Sequence, residues 1–218
     1  GASVTKCKVG DFVTARPQLV CGKCNPCLRG EYNLCENLRM QAFQANGAAQ
    51  EYFVVDDDRV AVLPSGMSLD HGALIEPVAV AAHATKRAGD LTGKNVVVSG
   101  AGTIGNLVAK FAKARVAKRV LVADTSYFRL ERANQCGLVD TVNISNSSLS
   151  EAAESVFGKE GYQVAFEVAG VPSSIRSLMK SIEKGGTIVI VAVFERDPSI
   201  SMFYLGNTFE DIKLLAIA

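Results

Sequence analysis

Four of the chain's six cysteines fall in one short stretch, "CGKCNPCLRGEYNLC", spaced C-x2-C-x2-C-x7-C as Cys21, Cys24, Cys27 and Cys35. Gaps of two residues let a tightly turning loop aim successive thiolates at one centre, and Gly22 and Pro26 suit such a loop. Four thiolates with no histidine form the closed tetrahedral set of structural zinc, whereas a catalytic zinc keeps a position open for water or substrate. An iron–sulfur cluster is the rival, but its common run ends C-x3-C-P. Here the last gap is seven residues and no proline follows Cys35. Unligated thiols are the third reading. Cys7 and Cys136 stand alone and read as packed or idle thiols.

A second stretch carries a different chemistry. "NVVVS", Asn95 to Ser99, has the apolar run of a buried strand, and Gly100, Gly102 and Gly105 follow it in G-x-G-x-x-G spacing with Thr103 and Ile104 between them. A helix is expected next, because Ile104, Leu107, Val108, Phe111 and Ala112 share one face at helical spacing while Lys110 and Lys113 lie on the other. Glycines in this arrangement permit the turn and let a pyrophosphate approach the backbone, and the helix N-terminus offers free N–H groups to it. A second strand, "RVLVAD", ends in Asp124, about twenty residues past the last glycine, where a carboxylate accepts the ribose hydroxyls of a dinucleotide. That charge repels a 2′-phosphate, so NAD is expected over NADP. Arg129 either edges the adenosine ribose or is an ordinary surface arginine of the next helix.

The elements that must hold these groups can be read from the same patterns. "YQVAFEVAG" (162–170), "TIVIVAV" (187–193), "DIKLLAIA" (211–218) and a short piece near 141–144 bring the strands to six. Pro172 opens a helix with Ile175, Leu178, Met179 and Ile182 on one face, and Gly185 and Gly186 stop it. Strand–helix alternation predicts an α/β fold, a doubly wound parallel sheet of the Rossmann type.

Composition sets limits on partners and setting. With 218 residues, 48% hydrophobic and 21% charged, the chain can bury a sizeable core. Its 23 basic and 22 acidic side chains nearly cancel, giving no reason to expect nucleic acid or an anionic membrane. No apolar run approaches the roughly 18 residues of a membrane helix. The opening "GASVTKCKVGD" has no apolar signal core, so a cytoplasmic location is the default expectation.

Taken together, the cysteine lobe, "GALIEPVAVAAHA", "GAGTIG" and the strand-end aspartate resemble the zinc-containing medium-chain alcohol and polyol dehydrogenases. "VGDFV", "NGAAQEYFVV", "FEVAG" and "KGGTIVIV" fit in the same order, and the Glu-Pro pair points to the sorbitol, galactitol and threonine dehydrogenase branch. The resemblance implies a non-catalytic zinc on the four cysteines, and NAD on Gly100, Gly102, Thr103, Ile104, Gly105, Asp124 and Arg129. It places Glu76 near a catalytic zinc; read alone, Glu76 is an acid within an apolar helix beside Pro77. His71 and His83 carry no motif.

By the same resemblance, residues 1–85 form an incomplete GroES-like, β-rich catalytic domain and residues 86–218 the nucleotide domain, divided near "KRAGDLTGKN". The implied reaction oxidises a secondary alcohol or polyol to a ketone, with a small-molecule substrate. A homodimer or homotetramer paired through the last strand is implied as well. The family's upstream zinc-ligand cysteine and Gly-His-Glu motif have no counterpart, so the chain reads as truncated at both ends. A non-catalytic, zinc-braced NAD-binding chain is therefore the alternative. A zinc ribbon for nucleic acid is a weaker one, given the lack of a basic stripe. Val116 departs from the family's helix-ending glycine, which implies either a different helix end or local strain.

Overall fold

The computed structural model describes residues 3–194, 197–200 and 212–217. The chain divides into two compact units, the first ending at Glu76 and the second running Pro77–Ile217.

The first unit holds β1 (Val13–Ala15), β2 (Gln18–Leu19), the short helix α1 (Asn25–Leu28), β3 (Arg39–Met40), β4 (Val60–Val62) and α2 (Leu69–Ala73). Its strands form two small antiparallel ladders, β1 with β4 and β2 with β3. Apolar burial here is slight: among the described residues of this unit only Cys27, Cys35 and Leu63 are buried hydrophobics. Such ladders are marginal without further packing.

Helix α3 (Ile75–Arg87) leads into the second unit, where strands and helices alternate: β5 (Asn95–Ser99), α4 (Thr103–Ala114), β6 (Arg119–Asp124), α5 (Tyr127–Gln135), β7 (Asp140–Asn143), α6 (Leu149–Phe157), β8 (Val164–Glu167), α7 (Pro172–Ser181), β9 (Thr187–Ile190) and β10 (Lys213–Ala216). All five strand pairings are parallel, in the order β10-β9-β8-β5-β6-β7. Strand order therefore reverses between β5 and β8, the switch point at which such sheets bind ligands. Both faces of the sheet are covered, as a parallel sheet requires. Val96 and Val98 of β5 enter one core cluster with Ala81, Ala84 and Val108, while Val97 enters the opposite one with Leu149, Ile175 and Leu178.

Several strands are shorter than the apolar runs suggest. The run 162–170 keeps only Val164–Glu167 as strand. Tyr162 instead turns inward, its hydroxyl donating to Leu178 O at 3.1 Å, and Gly170 takes φ 70 in the turn to α7. The run 187–193 ends as strand at Ile190. Of "DIKLLAIA", Asp211 and Ala218 lie outside the described residues.

Val116 carries the strain that its position implied. It has φ 64, donates to Lys113 O at 3.0 Å and is followed by an Ala117 N–H to Ala112 O bond of 3.1 Å. That pair of bonds is a Schellman ending of α4 with a β-branched residue in its left-handed position. The left-handed conformation costs an L-residue about 1–2 kcal/mol, and glycine gives back part of this through its freer unfolded chain. Val116 is 64% exposed, so little burial is lost on truncation. Val116→Gly should stabilise the protein by about 1 kcal/mol. A denaturation midpoint at or below that of the unmodified protein would contradict this.

Candidate functional site

The cysteine cluster is built by the turn around α1. Cys24 precedes the helix in extended conformation, Pro26 opens it, and Gly22 and Gly30 take φ 70 and 77 on either side. This folding brings the sulfurs of Cys21, Cys24, Cys27 and Cys35 within 4.8 Å of one another. A zinc tetrahedron with bonds of about 2.3 Å has sulfur–sulfur edges of about 3.8 Å, so a contraction of at most about 1 Å closes the set. Cys27 and Cys35 are buried, and the Cys21 N–H points at Cys35 Sγ at 3.3 Å. Backbone N–H groups of Lys23 and Cys24 pull the Cys21 thiol down to about 6, while burial pushes the Cys27 thiol up to about 12. Four crowded thiols cannot all ionise without a cation among them, and a metal ligand must be the thiolate. The donor set thus fits a divalent, sulfur-preferring metal. Cys7 and Cys136 stay outside it.

The second site is a cleft of about 550 Å³ at the C-terminal ends of β5, β6 and β8, lined by Ser99, Gly100, Gly102, Asp124, Arg129 and Val168 among others. Its floor is the turn from β5 into α4. Gly100 takes φ 111 and donates to Ala123 O at 2.7 Å. A Cβ on Gly105 would lie 1.8 Å from Gly100 O, so the third glycine is what lets the helix meet the turn. A Cβ on Gly102 would meet nothing within 4 Å, because that side is the open cleft. No side chain caps α4, and neither the Gly102 nor the Thr103 N–H has a partner among the described residues. Thr103 is exposed and Ile104 half-buried against the core.

Asp124 is 6% exposed and does more than wait for a ligand. Its Oδ2 accepts the Ala101 N–H at 2.7 Å and its Oδ1 accepts the Ser126 N–H at 2.8 Å. Lone pairs remain for further donors. Arg129 Nη1 lies 3.7 Å from Asp124 Oδ2 on a largely exposed side chain, a pair that contributes little by itself.

Glu76 stands exposed in the first turn of α3, and no potential metal-binding group among the described residues includes it. His71 is exposed and His83 half-buried.

The sequence reading passed over Glu167. It is fully buried at the end of β8, and its carboxyl accepts the Ala169 and Gly170 N–H groups, each at 3.1 Å. Burial raises its pKa against the lowering effect of Ser174 and those N–H groups. Ser174 in turn shares a 2.8 Å hydrogen bond with Ser99 across the cleft's base. The signal was available: like Asp124, Glu167 is an acid closing an apolar strand, with a glycine shortly after.

The zinc-binding dehydrogenase profile matches residues 103–216 and the alcohol dehydrogenase GroES-like domain profile residues 1–65. The chain belongs to the zinc-binding dehydrogenase family. It is 34% identical over 194 residues to sorbitol dehydrogenase of Bacillus subtilis (strain 168), covering 88% of this chain and 55% of that protein. Galactitol-1-phosphate dehydrogenase from Escherichia coli superposes with a TM-score of 0.90 at 31% identity, over 100% of this chain and 63% of that one. A zinc-binding dehydrogenase of Sinorhizobium meliloti 1021, solved bound to NADP, gives 0.91 at 29% identity, over 99% and 64%. The chain thus spans between 55% and 64% of the length of these relatives. No helix among the described residues is long and apolar enough to cross a membrane.

Proposed function

We propose that this protein oxidises a secondary alcohol or polyol to the ketone and passes the hydride to NAD. The observation that carries the reading is the cleft at the switch point, floored by a glycine turn whose Gly102 and Thr103 N–H groups have no partner among the described residues, and flanked by the buried carboxylate of Asp124. The Gly102 and Thr103 N–H groups and the dipole of α4 hold the pyrophosphate. Gly100 and Gly105 shape the turn, with Ile104 packed beneath it. Asp124 accepts the ribose hydroxyls and Arg129 borders the adenosine ribose. The bound nicotinamide supplies the hydride acceptor. Sorbitol and galactitol 1-phosphate, named for two relatives, support a polyol as the substrate class.

Cys21, Cys24, Cys27 and Cys35 hold a structural zinc, whose four thiolates leave no open position, so its part is to brace the lobe. A second, catalytic zinc, when bound, supplies the Lewis acidity that acidifies the alcohol. Glu76 is the residue of this chain assigned to its neighbourhood. We place residues 1–85 in a GroES-like catalytic domain and residues 86–218 in the nucleotide domain. We place the protein in the cytoplasm, where thiols stay reduced, and as a homodimer or homotetramer paired along β10. Support for the pairing is that β10 forms one edge of the sheet. The Lys213 and Ile217 N–H groups bond inward, toward β9. Strand alternation turns those of Leu214 and Ala216 outward.

The test is turnover of the full-length protein with NAD and a panel of secondary alcohols and polyols. NADH binding without turnover of any of them would favour the non-catalytic alternative. Cofactor choice is tested by calorimetry with NADH and NADPH. The unmodified protein should prefer NADH, and Asp124→Ala should narrow that preference by about 1.5–3 kcal/mol. The ratio is the proper readout, since Asp124→Ala also unties the Ala101 and Ser126 N–H groups and weakens both ligands together. Equal affinities in the unmodified protein would reject the assignment.

A further inference from the structure

Asn106, one residue past the third glycine, turns its side chain back into the glycine loop. Its Nδ2 donates to Ala101 O at 2.7 Å and to Gly102 O at 3.1 Å. The amide orientation follows from these contacts, because the reverse would set its oxygen against two carbonyl oxygens. Its Oδ1 is left buried with no hydrogen-bond partner among the described residues. An orphaned buried oxygen is unfavourable, and asparagine is a mediocre helix former. A leucine here would avoid both penalties, so stability alone does not explain the residue.

The peptide link does. In a trans peptide the C=O and the N–H of the following residue point in opposite directions. Holding the Ala101 carbonyl therefore fixes the Gly102 N–H on the far side, where Gly102 lines the cleft. The Thr103 N–H is fixed likewise through the Gly102 carbonyl, which the Asn106 backbone N–H also holds at 2.9 Å. Neither N–H group has a partner among the described residues, and the same holds for the Ile104 and Gly105 N–H groups of the first helical turn. The rest of the loop is already tied, with the Gly100 N–H on Ala123 O and the Ala101 N–H on Asp124 Oδ2, both at 2.7 Å. We infer that Asn106 is a positioning residue, which pre-aims the Gly102 and Thr103 N–H groups at the pyrophosphate of the dinucleotide. The inference rests on the proposed reading of this cleft as the NAD site.

The test uses the full-length protein and three probes: NADH and ADP-ribose, which carry the pyrophosphate, and adenosine, which does not. Asn106→Leu should weaken NADH and ADP-ribose about tenfold, the scale of one hydrogen bond's net worth, and leave adenosine, followed by NMR titration, unchanged. If Asn106→Leu does not fold, Asn106→Ala, which also lacks the donor and favours helix, is measured in the same way. Equal binding of all three probes to variant and unmodified protein would overturn the inference, as would a proportional loss of all three. Failure of the unmodified protein to bind NADH would bring down the reading of the cleft itself, and the inference with it.

Discussion

Serine in place of Cys24 is expected to empty the cysteine cluster of zinc, which the unmodified protein should hold at close to one per chain by metal analysis. The serine hydroxyl stays protonated at neutral pH, so three thiolates remain, and the closed set becomes an open one. The structural consequence should be large because the lobe has so little else. Beyond the cluster's own Cys27 and Cys35, Leu63 is the only buried hydrophobic described in the first unit. Zinc on such a set contributes about 10–16 kcal/mol, which in a lobe without a core is folding free energy. Loss of even a third of that exceeds what two short ladders can replace. Cys24→Ser should therefore make residues 21–35 a site of rapid limited proteolysis. The second unit has two core clusters of its own, so its thermal transition and its NADH affinity should hold. Iron in place of zinc in the unmodified protein, or full zinc content in the variant, would defeat the assignment.

What could be read in advance was what has a period or a spacing. The strand Asn95–Ser99 and the α4 face emerged from runs and helical repeats, and the structure keeps them. The cysteine spacing named a cluster that the fold then assembled. Contacts made by one side chain with distant backbone are of another kind. Glu167 looked like one acid in a strand, and only folding brings Ser174 and the Gly170 turn onto it. Asp124 was legible as the acid closing the second strand, but its bond to the Ala101 N–H was not, since that depends on β5 and β6 lying side by side. Strand ends were overestimated where apolar residues continue past the ladder into packing, as at Tyr162 and Val191. Val116 was visible as a departure from a pattern, and the φ of 64 supplies its physical content.

The second and third glycines of the turn should fail in different ways, and the difference separates folding from binding. Alanine at Gly105 would put a methyl carbon 1.8 Å from Gly100 O and 2.9 Å from Gly100 C. Both are backbone atoms of the turn. They cannot swing aside as a side chain end could, because the Gly100 N–H is fixed on Ala123 O and the next residue on Asp124. Relief requires α4 to move off β5, which breaks the packing of Val108 and Ala112 in the core. Overpacking of this sort costs about 3 kcal/mol or more, so Gly105→Ala should melt far below the unmodified protein and lose NADH binding with it. Alanine at Gly102 meets nothing within 4 Å, and its φ of −69 suits any residue. That variant should fold with an unchanged melting temperature. Its methyl group would nonetheless stand in the cleft, where the pyrophosphate must approach the Gly102 and Thr103 N–H groups, so NADH affinity should fall at least tenfold, about 1.4 kcal/mol or more. Melting and calorimetry on the two variants decide the matter. Unaltered NADH affinity in Gly102→Ala would place the phosphates elsewhere, and an unaltered melting temperature in Gly105→Ala would mean that the turn relaxes where the geometry says it cannot.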